Sequence, residues 1–426
     1  MRFRSVSRLI SFFCAFFVWV PGAFGADKAK LTIACGSNGI ERRLCVTAAE
    51  GWAKKKGVDV HIFSTPNESN ERLSLYQQLL AAKSQDVDVF QIDSIWPGLL
   101  ASHFSDLSSK LTSEEKAAHL SQLVENNTVD NKLVAVPWFG DAGVLYYRKD
   151  LLKKYGFEAP KTWEELGTIA VKVQEKERAA GQKDLWGYVF QGKPYEGLTC
   201  NAIEWFASYS GSPAVDTNGK VQVATPEVAK ALTLWSGWIG KISPSGVLSY
   251  AEEDARGVFQ SGKAVFMRNW PYAWALLNSA DGPVKGKVAI APLPAGANSR
   301  AATLGGWSLA VSKYSPQQEL AIELVKYLTS AEQQKIRSIE GSFNPTLTAL
   351  YDDPELLKKN PHLKDLKPVF LSAVSRPART TKNKYNRFSS DVWNTVYEVL
   401  SKGGDPMPRL KELEVRVAKY SNSNHW

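Results

Sequence analysis

The sequence predicts an α/β protein, and three observations carry the prediction. Short apolar runs alternate with helix-periodic stretches in βαβαβ order over the first part of the chain. At 426 residues, 44% hydrophobic and 22% charged, the chain has enough apolar material for large cores, in about two or three domains. Beyond the N-terminus, charge interrupts every apolar run before it reaches the roughly 20 residues of a membrane helix, so those cores belong to a water-soluble fold.

The first element is a targeting segment. Arg2, Arg4 and Arg8 precede a twelve-residue apolar run, Leu9–Val20, and Ala23-Phe24-Gly25 puts small residues at a cleavage site. Residues 1–25 read as a signal peptide cut before Ala26, which places the mature chain in the periplasm. Removing those three arginines lowers the formal net charge from +9 to +6. The remaining basic residues are dispersed over helix-like stretches, so a solvated face is expected and no nucleic-acid partner.

The elements then follow in order. Lys30–Cys35 is a short strand, and Gly36-Ser37-Asn38-Gly39 leads into a helix to Lys56. Val58–Phe63 alternates as a strand, Asn70–Lys83 carries Leu73, Tyr76 and Leu80 on one helical face, and Val87–Ile92 is a strand closed by Asp93. This order predicts a mostly parallel sheet. In such sheets ligands bind beyond the carboxyl ends of the strands, which points to Cys35–Asn38, Thr65 and Asp93 as cleft positions. Further along, Val144–Tyr147 and Lys287–Pro294 are strands, and Lys149–Tyr155 is a helix stopped by Gly156. Thr162 caps one helix and Thr225-Pro226 opens another, on which Trp235 sits at core spacing. Ser308–Val311 is a strand, Pro316–Leu328 a helix, and Leu356–Tyr420 is helical around a loop at Arg376-Pro377.

Val258–Trp274, VFQSGKAVFMRNWPYAW, is the most informative stretch. A helix end, a Gly turn and an apolar strand lead to Trp270, Tyr272 and Trp274 beside Asn269, where Pro271 leaves the ladder. Rings next to polar groups at a strand end suit a sugar, whose C–H faces lie on aromatics and whose hydroxyls need partners; the same rings also suit a core.

Enzyme signatures are absent: there is no G-x-x-x-x-G-K-[ST], no H-E-x-x-H and no G-x-S-x-G. The five histidines, at 61, 103, 119, 362 and 425, have no metal-ligand spacing, so neither a metal nor a cofactor is expected. A secreted glycosidase using Asp93 and Asp141 remains the alternative, because two carboxylates across a cleft suffice for that chemistry. Cys35 and Cys45 read as two buried thiols, with a bridge as the alternative that an exported compartment permits.

Five segments, DVDVFQIDSIWPGLL (Asp86–Leu100), VPWFGDAGVLYYRKDLLKKYG (Val136–Gly156), PKTWEEL (Pro160–Leu166), FQSGKAVFMRNWPYAW (Phe259–Trp274) and LGGWSLAVSKYS (Leu304–Ser315), occur in this order. Together they resemble an extracellular solute-binding protein of a sugar ABC importer, in the trehalose/maltose-binding branch. The resemblance implies a two-lobe periplasmic-binding-protein type II fold, similar to maltose-binding protein, with the cleft between lobes. It implies an N-terminal lobe of 26–140 plus 310–337 and a C-terminal lobe of 141–305 plus 343–426. It also implies a monomer that captures an α-linked disaccharide (trehalose, maltose or sucrose) and delivers it to ABC permease membrane subunits without chemistry.

Carried over residue by residue, the resemblance gives Asp93 and Asp141 as acceptors for sugar hydroxyls and Trp270 and Tyr272 as stacking platforms. Gly305, Gly306 and Trp307 would bring backbone and a further ring, and Arg376 a guanidinium fork, with Arg379 one register slip away. Asn38 or Glu41 would supply a polar contact from the first turn. Gln78 would stand where a polar or basic contact is usual on the second helix; Arg72 is the nearest arginine. Arg379, Lys382, Lys384 and Arg387 replace a usually more neutral, aromatic run.

Overall fold

The computed structural model describes residues 28–36, 39–216, 218–279, 282–422 and 426. The signal peptide predicted over 1–25, and Asn38, lie outside them. Twelve strands are present among the described residues. β1 (Lys30–Ala34), β2 (Asp59–Phe63) and β3 (Val89–Asp93) come first, followed by a two-residue hairpin of β4 (Thr128–Val129) and β5 (Lys132–Leu133). Next are β6 (Val136–Ala142), β7 (Val144–Arg148), β8 (Trp186–Val189), β9 (Ala264–Asn269), β10 (Val288–Pro292), β11 (Thr303–Val311) and β12 (Val374–Ser375).

They form two mixed sheets, where the sequence predicts mostly parallel pairing. In the first, β1 pairs in parallel with β2 and β3, as the βαβαβ order predicts. β11 then enters from far along the chain, antiparallel to β3 on one edge and to β6 on the other, with β12 parallel beside its start. The second sheet runs β10-β7-β9-β8, and only its β8–β9 pair is parallel.

Burial follows the residue types. β3, β6 and β9 are buried along their whole length, as strands covered on both faces must be. Around the second sheet, Trp205 stacks between Trp163 and Trp235, with centroids at 4.3 and 5.1 Å, in a core that includes the fully buried Trp235. The Gly39–Lys56 helix returns over β1 so that Cys45 meets Cys35. The two form a disulfide with Cα atoms 6.3 Å apart, which corrects the free-thiol reading. Strand β1 and this helix bring the sulfurs together across a sequence separation of 10, a geometry that spacing alone does not specify. Cys200 is a free, buried thiol. No helix of the described residues is long and apolar enough to cross a membrane.

Candidate functional site

The strand ends converge on a cavity of about 210 Å³. Nine of the residues singled out in the sequence line it: Glu41, Asp93, Asp141, Trp270, Tyr272, Gly305, Gly306, Trp307 and Arg376. Register explains the convergence. Along β11, Trp307 lies opposite Asp93 of β3, while Gly305 lies opposite Asp141 of β6. Two carboxylates and one indole thus meet around a single strand.

The glycines let that strand approach. Gly306 has φ +127°, and a Cβ there would stand 2.7 Å from the Phe139 carbonyl oxygen. A Cβ on Gly305 would stand 3.1 Å from the Trp270 ring and 3.3 Å from the Asp141 Cβ. The Trp270 ring therefore occupies the space that glycine leaves over the strand.

Trp270 is built from beneath as well. Arg268, fully buried on β9, donates from Nε and Nη2 to both carboxylate oxygens of Glu204, at 3.0 and 2.6 Å. Its guanidinium carbon sits 3.9 Å from the Trp270 ring centroid. The Glu252–Gln260 helix fixes the rings from the side. Glu252 accepts from Trp270 Nε1 at 3.3 Å and from Tyr195 Oη at 2.7 Å. Glu253 accepts from Tyr272 Oη at 2.6 Å and from Arg256. Trp274, one helical turn on, packs against His362 with centroids 4.8 Å apart and does not line the cavity.

The two aspartates have different surroundings. Asp93 Oδ1 accepts from Arg376 Nη2 at 2.6 Å and from the Ile95 backbone N–H at 3.3 Å. Arg376 Nη1 donates to Glu196 Oε1 at 2.9 Å, and Tyr385 and Ser389 complete the Glu196 carboxylate. Arg376 thus bridges two buried carboxylates, and burial holds the Glu196 carboxyl above its ordinary range. Asp141 is also buried, but its Oδ1 has no hydrogen-bond partner. Burial, then the charges of Glu41 and Asp93, push its carboxyl well above the ordinary range. An acceptor left bare in this way is costly unless something that enters the cavity satisfies it.

Glu41 is held from the first turn of its helix by Gln91, which donates from Nε2 at 2.7 Å while its Oε1 accepts from the Gly36 N–H. Gln78 is exposed and does not line the cavity; Arg72 supplies the basic side chain of that helix instead. Six residues apart, the two point about 120° from each other around the axis. Arg72 is buried, lies 4.6 Å from the Trp307 ring centroid, and keeps Nη1 without a partner. Trp96 meets the same indole edge-on at 5.5 Å. Of the other strand-end positions, Cys35 is taken by the disulfide and Thr65 is not in the wall. Arg379 is exposed and paired with Glu125 at 2.7 Å, so Arg376 is the arginine of this loop that reaches the cavity.

Sequence reasoning missed Glu196, Glu252, Glu253 and Tyr195. The paired acids just ahead of Val258 were the available signal for two of them; Glu196 sits in an otherwise apolar helix start that marks nothing locally. Among the described residues no cluster of three or more His, Cys, Asp and Glu has the arrangement of a metal site. The cavity can accept and donate hydrogen bonds between aromatic plates.

Comparison with known proteins places this geometry. The family model for bacterial extracellular solute-binding proteins matches residues 46–335. A probable ABC transporter-binding protein of Deinococcus radiodurans is 50% identical over 396 residues, covering 92% of this chain and 94% of its own. Maltose-bound MalE3 of T. maritima superposes with TM-score 0.87 at 40% identity, over 92% of this chain and all of that one. The GacH receptor of Streptomyces glaucescens, solved unliganded and with acarbose, gives TM-score 0.80 at 26% identity over 92% and 98%. These relatives are solute-binding proteins of ABC transporters with two lobes, not enzymes, which overturns the glycosidase reading of Asp93 and Asp141. With the matched model spanning most of the chain and half of its residues shared with a relative along nearly its full length, the chain belongs to the bacterial extracellular solute-binding protein family.

Proposed function

We propose that this protein captures an α-linked disaccharide in the periplasm, with trehalose, maltose and sucrose as candidates, and delivers it to ABC permease subunits. The observation that carries the reading is the bare, buried Oδ1 of Asp141 in a cavity faced by the Trp270 and Trp307 indoles. A sugar supplies what both need, hydroxyl donors for the acceptor and C–H faces for the rings. Arg72 Nη1 offers a donor to a sugar oxygen beside Trp307. The volume, about 210 Å³, favours a short saccharide. Maltose in MalE3 and acarbose in GacH support the same ligand class.

In this reading the lobes are 26–140 plus 310–337 and 141–305 plus 343–426, residues 1–25 direct export, and the protein acts as a monomer. Sugar contacts to both sides of the cleft favour the closed state, and the loaded form docks on the permease. A thermal-shift panel over disaccharides, polyols and amino acids tests it. A ligand at a hundredfold excess over its dissociation constant stabilises by roughly 2.7 kcal/mol. Trp270→Ala should abolish the shift while the chain stays folded. A shift produced by an amino acid and by no carbohydrate would sink the proposal.

A further inference from the structure

Beyond the Arg376 bridge lies a second cavity of about 420 Å³. Ser94, Ile95 and Gly98 wall it after β3, Thr128 and Asp130 at the hairpin, and Lys382 on the loop after β12. Among the described residues, Arg376 is the one side chain that lines both cavities. Its guanidinium is a septum: Nη2 is fixed to Asp93 and to Ser94 Oγ at 2.6 and 3.0 Å, and Nη1 to Glu196 at 2.9 Å. A planar cation gripped from both sides by buried carboxylates does not swing aside easily, because moving it leaves two buried negative charges unpaired. The septum is only partly satisfied, since Arg376 Nε is buried without a partner.

We propose that Arg376 is a specificity-determining partition that sets the length of the bound saccharide, and that the second cavity is a latent compartment for the further sugar units of a longer neutral chain. The proposal rests on the saccharide reading of the first cavity. Neutral units fit the compartment's chemistry. Ser94, Asn126, Thr128 and Asn383 offer hydroxyl and amide partners, and the charges present are of both signs. Arg379 is already paired with Glu125, and Lys382 shares the wall with the opposite charge of Asp130, so the wall is not a one-sign anion site. Size permits it, because the compartment offers about 420 Å³ beside the first cavity.

The test is titration calorimetry of the mature protein with maltose and trehalose as short probes and maltotetraose as the long one. The wild type is expected to bind the better short probe at least about tenfold more tightly than maltotetraose. Arg376→Ala should weaken the short probe yet move the long-to-short affinity ratio by about tenfold or more toward maltotetraose. Arg376→Gln, which keeps a donor for Asp93, is the second variant should the first fail to fold. Gly98→Phe in the Arg376→Ala background should return the ratio toward the wild-type value by filling the compartment. A Cβ on Gly98 has no neighbour nearer than 3.9 Å, so the fold admits a side chain there. A ratio unchanged by either arginine variant, or unaffected by Gly98→Phe in the double variant, overturns the partition alone. Failure of the wild type to bind sucrose as well as all three probes overturns the saccharide reading and the partition with it.

Discussion

Asp141 is poorly served by the folded protein around it: Arg268 and Arg337 favour its charge, but burial and like charges outweigh them. Its carboxylate is buried, its Oδ1 is unpartnered, and its neighbours Glu41 and Asp93 are of like charge. A group kept under those conditions weakens the fold, and in the proposed reading it serves the ligand. Asp141→Asn should therefore leave the melting temperature unchanged or raise it, while disaccharide affinity falls about 10- to 100-fold, or 1.4–2.8 kcal/mol. Parallel thermal melts and calorimetric titrations check both halves; a large loss of stability would place Asp141 in the structural framework instead. The residues at this scale were legible where a strand end or a glycine pair marked them, as with Asp93, Trp270 and Gly305-Gly306-Trp307. Arg72 and Glu196 were not, because each lies on a helix whose phase relative to the cavity is set by packing and not by its neighbours in sequence. Placing the contact at Gln78 was an error of helical phase of this kind.

At the scale of elements, the Trp270 platform stands on the Arg268–Glu204 pair, which joins β9 to the Glu196–Ser210 helix. Both side chains are about 1% exposed and the contact is two-pronged. Glu204→Ala would strand a buried guanidinium and should cost about 3–5 kcal/mol of stability, read from urea unfolding, with ligand affinity falling as the ring loses its support. The Cys35–Cys45 staple makes a second prediction. Its short loop removes about 2.7 kcal/mol of unfolded-state freedom, so the Cys35→Ser, Cys45→Ser double variant should unfold at correspondingly lower urea. An unchanged midpoint would show that the bridge does not contribute. The strand–helix alternation of β1 to β3 was readable from local periodicity. The insertion of β11 between β3 and β6 was not, because pairing partners so far apart in sequence leave no local trace.

For the whole molecule, two buried histidines contribute to the loss of stability in mild acid. Burial holds His119 and His362 down to about 4, from an ordinary value of 6.5. His119 is bonded to Thr346, while neither ring nitrogen of His362 has a partner. Because the folded form resists protonation, their contribution is complete above about pH 6.5 and is lost as pH falls toward 4, on the order of 3 kcal/mol apiece. Unfolding free energy measured between pH 7 and 4 should decline over that window, and His362→Leu should flatten part of the decline. The buried, raised carboxyls of Asp141 and Glu196 act with the opposite sign: they favour the fold most below their unfolded values, and that contribution is lost as pH rises through their raised folded values. The fall with acid should therefore be shallower than the histidines alone dictate.

The placement of Trp270 and Trp307 has an optical consequence. Both are only half-buried and face the cavity, whereas Trp96, Trp138, Trp163, Trp205 and Trp235 are sealed in the cores. The chain carries its own fluorophores at the proposed point of capture. When the cleft is empty their emission is open to a dissolved quencher such as acrylamide; when it is filled, the bound molecule shields them. Occupancy can thus be followed by light, in real time and without a label, and the loss of that protection in a Trp270→Phe variant would assign the signal to one ring.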